Sequence, residues 1–455
     1  MNAEKRYELL TKSNVKVAIC RLAIPTIFSM LITSLYNTAD SYFVSKLGSG
    51  AIGAVGVIFS FMAIIQACGF FFGHGSGNYI SRKLGKQDVV DAKQMAATGY
   101  YLSFTFGILI AILGIIFIEP LAKSLGSDDI ILPYATIYLM YILIGAPFMC
   151  ASLTMNNQLR FQGNAFYGMI GMCSGALLNI LGDSILVPRF GMHGAGISTL
   201  VSQIISFILL RIGIIKSGNV EISIKNLRLS KHLLLEIVNG GSPSLLRQSI
   251  GSVATILLNN ILVRFGTDAV ASMSVVLRIT QIPFSIVMGL GQGYQPVCGF
   301  NYGAGKYDRV KEGFYFLSIV TFAAMVVMAV LCFVFAEQLV LLFCQNADKI
   351  ENLELFTEMG ISTLRIHCFT LPIITFFSNC SMMFQTMGKS IRASLLAISR
   401  QGLFFIPTLI ILKDSYKTVR FVQPISDVLS FILAIIFFIT IIRELSFPKK
   451  ENIVN

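Results

Sequence analysis

Apolar runs of about 20 residues or more recur along this chain with short polar breaks between them, and that is the length an α-helix needs to cross ~30 Å of hydrocarbon. No soluble domain fits between the runs. Of the 455 residues, 55% are hydrophobic and 13% charged, which leaves too little polar surface to cover a water-soluble fold of this length. The expected class is therefore all-α integral membrane.

The runs place twelve spans near Val17–Val44, Ala51–Ile80, Ala96–Ile118, Ile131–Leu153, Ala165–Val187, Ala195–Ile215, Leu233–Val263, Ala269–Phe300, Phe314–Phe335, Leu355–Phe384, Ala393–Leu412 and Val419–Ile442. The first run is too long for a signal-peptide core and no small-residue cleavage site follows it, so it is read as a spanning helix. A net charge of +12 raises the question of nucleic acid, but the basic residues never gather into a stripe. They concentrate instead in the N-terminus, the C-terminus and every second loop, which predicts both termini on the cytoplasmic side of a cell membrane. The nine cysteines lie in or beside apolar runs with no metal-ligand spacing and read as packing residues.

The second half repeats the first. At an offset of 218, Pro25 meets Pro243, Gly48 meets Gly266, Ala51 meets Ala269, and Gly73 and Gly75 meet Gly291 and Gly293. At 220, Gly85, Lys86, Asp88 and Val90 meet Gly305, Lys306, Asp308 and Val310, which reads as a two-residue insertion; at 225, Pro147 meets Pro372 and Gly163 meets Gly388. The polar stretch with Lys216, Lys225, Arg228 and Lys231 sits between the copies. The expected organisation is a six-helix bundle over residues 1–215, a cytoplasmic linker over 216–232 and a second six-helix bundle over 233–455. An even number of spans per half brings both halves in from the same side, so they are related by a pseudo-two-fold axis along the membrane normal. A cleft between two such bundles suits alternating access.

A carboxylate in mid-span costs about 2.5–3.5 kcal/mol on insertion scales and asks for a reason. Asp40 has Tyr36 and Asn37 one turn before it, and Asn179 and Asp183 are four apart and share a face of the fifth span. Thr199 on the sixth span can complete a cluster. Two carboxylates with amide and hydroxyl oxygens suit Na⁺, or hold a proton between them. The plainer alternative leaves Asp40 at the outer interface near Lys46 and Asp183 capped by Arg189.

The second half carries Arg247, Arg278, Arg365 and Arg400, with His367 beside Arg365 and Thr408 opposite Asp183. Two readings stay open: hydrogen bonds to backbone carbonyls at broken helices, or contact with an anionic group on the substrate. The chain has 18 Met and 36 Phe, a composition that can line an adaptable cavity, and Met155, Met172, Met288 and Phe284 lie on helices that border the cleft. With no Trp, interface anchoring falls to Tyr. Two strings that imitate a phosphate loop, at Gly303–Tyr307 and Met387–Ser390, lack its preceding glycine, so ATP hydrolysis is not expected. No nucleophile-and-base arrangement points to an enzyme. His74, in G-H-G-S-G, reads as a ligand or as a close-packed polar kink.

The segment G-Y-Q-P-V-C-G-F-N-Y-G-A-G-K-Y, Gly293 to Tyr307, resembles the eighth-helix signature of the multidrug and toxic compound extrusion (MATE) transporters. The likeness extends through N-T-A-D-S-Y-F-V (Asn37 to Val44), Y-I-S-R-K-L-G-K (Tyr79 to Lys86), L-L-N-I-L-G-D (Leu177 to Asp183) and G-A-G-I-S-T (Gly194 to Thr199). It implies a V-shaped pair of six-helix bundles that exports organic cations and amphipathic toxins in exchange for H⁺ or Na⁺. The DinF-like and MepA-like bacterial branch places its coupling site in the first half, which maps onto Asp40, Asn179, Asp183 and Thr199. Branches with carboxylates in the second bundle differ from this chain, which has Arg247 and Gln248 on the seventh span and Arg365 and His367 on the tenth.

With the resemblance added, Gln292 joins Tyr36, Asn37, Met155, Met172 and Met288 as a candidate substrate contact, or else makes an interhelical hydrogen bond. The expected partners are cationic or amphipathic drugs and membrane lipids, with no cofactor beyond the coupling ion, no nucleic acid or ATP, and a single chain as the working unit. The rival reading is a lipid-linked saccharide flippase of the same superfamily, in which the second-half arginines grip a pyrophosphate headgroup. A passive channel would need a continuous polar stripe, and a sensor would need an extramembrane domain; neither is legible.

Overall fold

The structure, a computed structural model, describes residues 3–217, 220–343 and 353–446, and the regular structure within them is helical throughout. A short N-terminal helix α1 (Ala3–Thr11) precedes α2 (Val15–Ser45), α3 (Ser49–Gly85), α4 (Val89–Ile116), α5 (Ile118–Ser124), α6 (Leu132–Phe161) and α7 (Ala165–Ser217). The second half comprises α8 (Lys231–Leu262), α9 (Thr267–Gly303), α10 (Tyr307–Val334), α11 (Ala336–Phe343), α12 (Leu353–Cys368), α13 (Leu371–Thr386), α14 (Ser390–Ile398), α15 (Phe405–Ile411), α16 (Tyr416–Val419) and α17 (Val422–Ser446).

Among the described residues, nine helices are long and apolar enough to cross a membrane, and α12 with α13 form a tenth, bent by 53°. The 53-residue α7 is two spans, because Gly191 breaks it with φ 57° and ψ −133°. Helix α8 is 32 residues long but carries Glu236, Arg247, Gln248 and two adjacent asparagines, Asn259 and Asn260. Packed against α3 and α9, it completes twelve.

Local chemistry sets the helix ends. Asn14 caps α2 by accepting from the Lys16 N–H at 3.0 Å, Asp88 caps α4 by accepting from Asp91 N–H at 3.2 Å, and Ser230 caps α8 by accepting from Leu233 N–H at 3.3 Å. Gly48 and Gly266 turn the chain into α3 and α9 at φ 111° and 99°, a left-handed conformation that costs glycine little.

The helix boundaries correct one detail of the repeat. Helices α3 and α9 begin at Ser49 and Thr267 and end at Gly85 and Gly303; α4 and α10 run from Val89 and Tyr307 to Ile116 and Val334. The offset therefore stays at 218 through both pairs, and no two-residue insertion separates them. The backward turn falls at Gln87 in one copy and Gly305 in the other, both at positive φ. The G-K-x-D-x-V match at 220 is out of structural register. The 225 offset holds: Gly163 and Gly388 turn the chain alike after α6 and α13, at φ 83° and 79°.

The halves meet at one end. Gly293 of α9 lies so close to α2 that a Cβ there would stand 2.6 Å from the Ala23 Cα, and Gly75 of α3 packs on the backbone of Ile237 and Gly240 in α8. Polar bonds finish the closure: Arg82 to Glu236 at 2.7 Å and to the Thr386 carbonyl at 2.9 Å, and Asn301 to the Leu10 carbonyl at 2.8 Å. All lie where α2 and α8 begin and α3, α9 and α13 end. One apolar cluster draws on both halves there and runs on through the second half as far as Val340 and Phe356. Towards the other end the apolar core divides into a cluster of first-half residues, Val44 to Ala195, and one of second-half residues, Ala254 to Val422. A cleft thus opens away from the chain's N-terminus.

Candidate ion-coupling site in the first bundle

Helices α2, α6 and both arms of α7 bring the expected polar residues together on the open side of the closure. Asp40 is 6% exposed and Asp183 fully buried, and their carboxyl groups face each other within hydrogen-bonding reach. Neither makes a salt bridge among the described residues. Asp40 Oδ2 accepts from the Tyr138 hydroxyl at 3.3 Å. With its amide oriented to satisfy both ends, Asn179 donates to Asp183 Oδ2 at 3.0 Å, and its oxygen accepts from the Ser198 and Thr199 hydroxyls at 3.2 Å. Asp40 Oδ1 and Asp183 Oδ1 have no partner.

The kink at Gly191 makes this possible. It folds the second arm of α7 back along the first, and a Cβ on Gly182 would collide with Ser198, so the arms approach closely enough for Asn179 to reach Ser198 and Thr199. Two facing carboxyl groups in a low-dielectric site cannot both remain bare anions. The two unpartnered oxygens, with the Asn179 and Thr199 oxygens alongside, fit one proton or one Na⁺ as the neutralising cation.

The plainer sequence alternative is overturned. Lys46 stacks over the Tyr42 ring at 4.6 Å instead of approaching Asp40, and no ion pair joins Asp183 to Arg189. Tyr138 and Ser198 were not singled out in the sequence, yet they supply hydroxyls to the cluster. Tyr138 is a fully buried tyrosine in an apolar run, and that is the signal that could have found it.

The expected substrate residues divide. Tyr36 is half-buried and faces both Asp40 and Asp183. The side chain of Asn37 lies outside the described residues. Met172 and Met288 are half-buried, and Met172 packs against the shared apolar cluster. Met155 is a correction: it is fully buried in the shared apolar cluster and lines no cavity in this conformation. Gln292 is buried; its carbonyl accepts from Arg160 and its side chain lines a cavity with room for about one water.

The second half also differs from expectation. Its charged set includes Asp427 on α17, which the sequence reading passed over. A turn of π-helix at Ser399–Leu403 carries Arg400, whose Nε donates to Asp427 Oδ1 at 2.7 Å. Gln423 Nε2 at 2.7 Å and Thr370 Oγ1 at 3.1 Å complete the shell around Asp427. Arg400 is thus bonded to a carboxylate and not to backbone carbonyls. Arg365 stacks over Phe333 at 5.3 Å, and Arg278 is exposed. His74 is buried and close-packed: its Nδ1–H donates to the Phe70 carbonyl at 3.2 Å, which leaves Nε2 to accept from Arg160 at 3.2 Å.

Known proteins share this architecture. The MatE family model matches residues 25–185 and 243–411, one segment in each half. The multidrug export protein MepA of Staphylococcus saprophyticus is 28% identical over 423 residues, which cover 91% of each protein. A MATE crystal structure in complex with MaL6 superposes with a TM-score of 0.92 at 26% identity, covering 97% of this chain and 99% of that one. The outward-facing conformation of a multidrug resistance MATE family transporter gives 0.90 at 26% identity, with the same coverage. These neighbours carry twelve helices in two bundles, and so does this chain. With the family model covering most of the chain, in two segments that follow the internal repeat, the chain belongs to the MatE family.

Proposed function

We propose that this protein is a secondary active multidrug exporter that moves cationic and amphipathic compounds across the cell membrane in exchange for H⁺ or Na⁺. The family membership and the MepA relatives support multidrug efflux. The observation that carries the coupling is the buried Asp40–Asp183 pair, with one unpartnered oxygen on each carboxyl and no ion pair to a basic residue among the described residues. Neutralisation must come from a mobile cation, and a cation gradient then becomes a driving force.

In this reading residues 1–215 and 233–455 form the two bundles, 216–232 link them, both termini are cytoplasmic and one chain is the working unit. The cleft then opens outward. A proton or Na⁺ entering from outside relieves the repulsion between Asp40 and Asp183. The arms of α7 and Tyr138 draw in around α2, which bends in the stretch that contains Pro25, and the first-bundle cavity releases its cationic cargo.

The test is substrate-driven ion movement in proteoliposomes, with a fluorescent organic cation as cargo, under an imposed Na⁺ gradient, an imposed pH gradient, and with Asp183→Asn. Uptake that follows one gradient and disappears in the variant supports the antiporter and names its ion. No cation transport under either gradient overturns it in favour of a lipid-linked saccharide flippase.

A further inference from the structure

The second charged centre of the molecule has the opposite sign. Arg160 of α6 is 3% exposed, and every partner it has is neutral. Its Nη1 donates to the Gln292 carbonyl and to Gln295 Oε1, both at 2.9 Å, and its Nη2 to Asn157 Oδ1 and His74 Nε2. Its Nε is buried without a partner. The His74 ring lies within the electrostatic reach of Arg247 on α8 as well. Arg247 is half-buried and holds only a long bond, 3.4 Å, to Ser244. Among the described residues no carboxylate pairs with either arginine.

A buried guanidinium with no anion is costly, and a fork of donors held by neutral acceptors is poorly compensated. The position is also informative. Gln292 and Gln295 belong to α9 in the second bundle, so the Arg160 bonds cross the closure between the halves. When that end opens, Nη1 loses both its partners while the His74 and Asn157 bonds within the first bundle persist. A small cavity lies alongside, lined by Thr26, Ser29, Asn156, Arg160 and Gln292, with Met30 and Met169 as its apolar wall.

We infer that Arg160, His74 and Arg247 form an oxyanion-binding site at the inner end of the central cleft, which takes the phosphate or carboxylate of an amphipathic organic anion. Arg160 grips the oxyanion by its planar fork, Arg247 adds the second charge, and the Nε2 lone pair of His74 orients the guanidinium. The anion enters when the inner end is open. On closure the Gln292 carbonyl and Gln295 take its place on Nη1 and drive it toward the open side. The site is separate from the Asp40–Asp183 pair, and the inference stands without the cation-export reading.

The experiment is equilibrium dialysis of the purified full-length protein with 1-naphthyl phosphate, a fluorescent aryl phosphate. Saturable binding is expected, weakened about tenfold or more in Arg160→Gln and in Arg247→Gln, as for loss of a charge-assisted contact. Arg278→Gln, which removes an exposed arginine outside the site, should bind it as the parent does. Competition by dihexanoyl phosphatidic acid but not by inorganic phosphate assigns a lipid headgroup as the source, and competition by both assigns a free oxyanion; either supports the site. If Arg160→Gln does not fold, Arg247→Gln and Arg160→Lys carry the test. No saturable binding, or an unchanged affinity in folded Arg247→Gln, overturns the inference.

Discussion

Asp40 of α2 and Asp183 of α7 face each other in a buried site where no basic residue among those described pairs with either, although 143 positions separate them in the chain. Their proximity depends on two features that neither residue carries: the long α2 and the kink at Gly191 that turns α7 back on itself. Two such carboxyl groups cannot both stay bare anions in a low-dielectric site.

Asp40→Asn and Asp183→Asn each remove the repulsion that a coupling ion relieves. Gradient-driven export of an organic cation from proteoliposomes should fall about tenfold or more, in line with the size of a typical coupling free energy. Binding of that cation in the absence of a gradient, and insertion into the membrane, should survive. Normal coupled export by both variants would show that the ion acts elsewhere.

Tyr138→Phe deletes the hydroxyl that donates to Asp40 Oδ2 and leaves the ring packed. A single hydrogen bond of this kind is worth about 1 kcal/mol net and stabilises the ion-free carboxylate, so its loss should bring a roughly fivefold fall in the ion concentration for half-maximal transport. Maximal rate should change little. A Tyr138→Phe protein with unaltered ion dependence would make the contact incidental.

Much of this was legible in the sequence. Asp40, Asn179, Asp183 and Thr199 stand out because polar groups in long apolar runs demand partners, and their spacing placed Asn179 and Asp183 on one face. The duplication was legible through paired glycines and prolines, and it emerges as paired helix boundaries. What escaped had a common cause. Arg160 looked like part of a loop after a span ending at Leu153, yet α6 continues to Phe161. The same holds for α3, which runs five residues past Ile80 to Gly85. These polar extensions bury themselves against the opposite half, and hydropathy cannot tell a polar interface between bundles from solvent. Asp427 escaped because its partner Arg400 lies on another helix, in a π-turn that no short-range pattern announces.

The Arg400–Asp427 pair yields a stability prediction. Asp427 has a side chain 1% exposed, and removal of one partner from a buried pair costs about 3–5 kcal/mol because the other charge stays buried. Arg400→Met alone and Asp427→Leu alone should each lower the unfolding temperature of the detergent-solubilised protein clearly. The double variant should recover most of the loss, a non-additivity that a thermal-shift double-mutant cycle measures. Additive losses would mean that the pair makes no joint contribution.

The closure between the halves rests on glycine, and this gives the sharpest conformational test. At Gly293 even a methyl group would meet the α2 backbone at Ala23, and backbone cannot swing aside as a flexible side-chain end can. Gly293→Leu should therefore force α2 and α9 apart and favour an open inner end. Cys298 reports on this, because it is fully buried one turn and a residue further along α9 and within electrostatic reach of Arg82 from the other half. With Cys298 as the sole cysteine, a membrane-impermeant maleimide should label the parent slowly and Gly293→Leu about tenfold faster, as expected when an opening is shifted by about 1.4 kcal/mol. Gly251→Leu, on the same half but with open space around its Cβ position, should label at the parent rate. Equal rates in Gly293→Leu and the parent would mean that the α2–α9 contact does not govern access to the inner end.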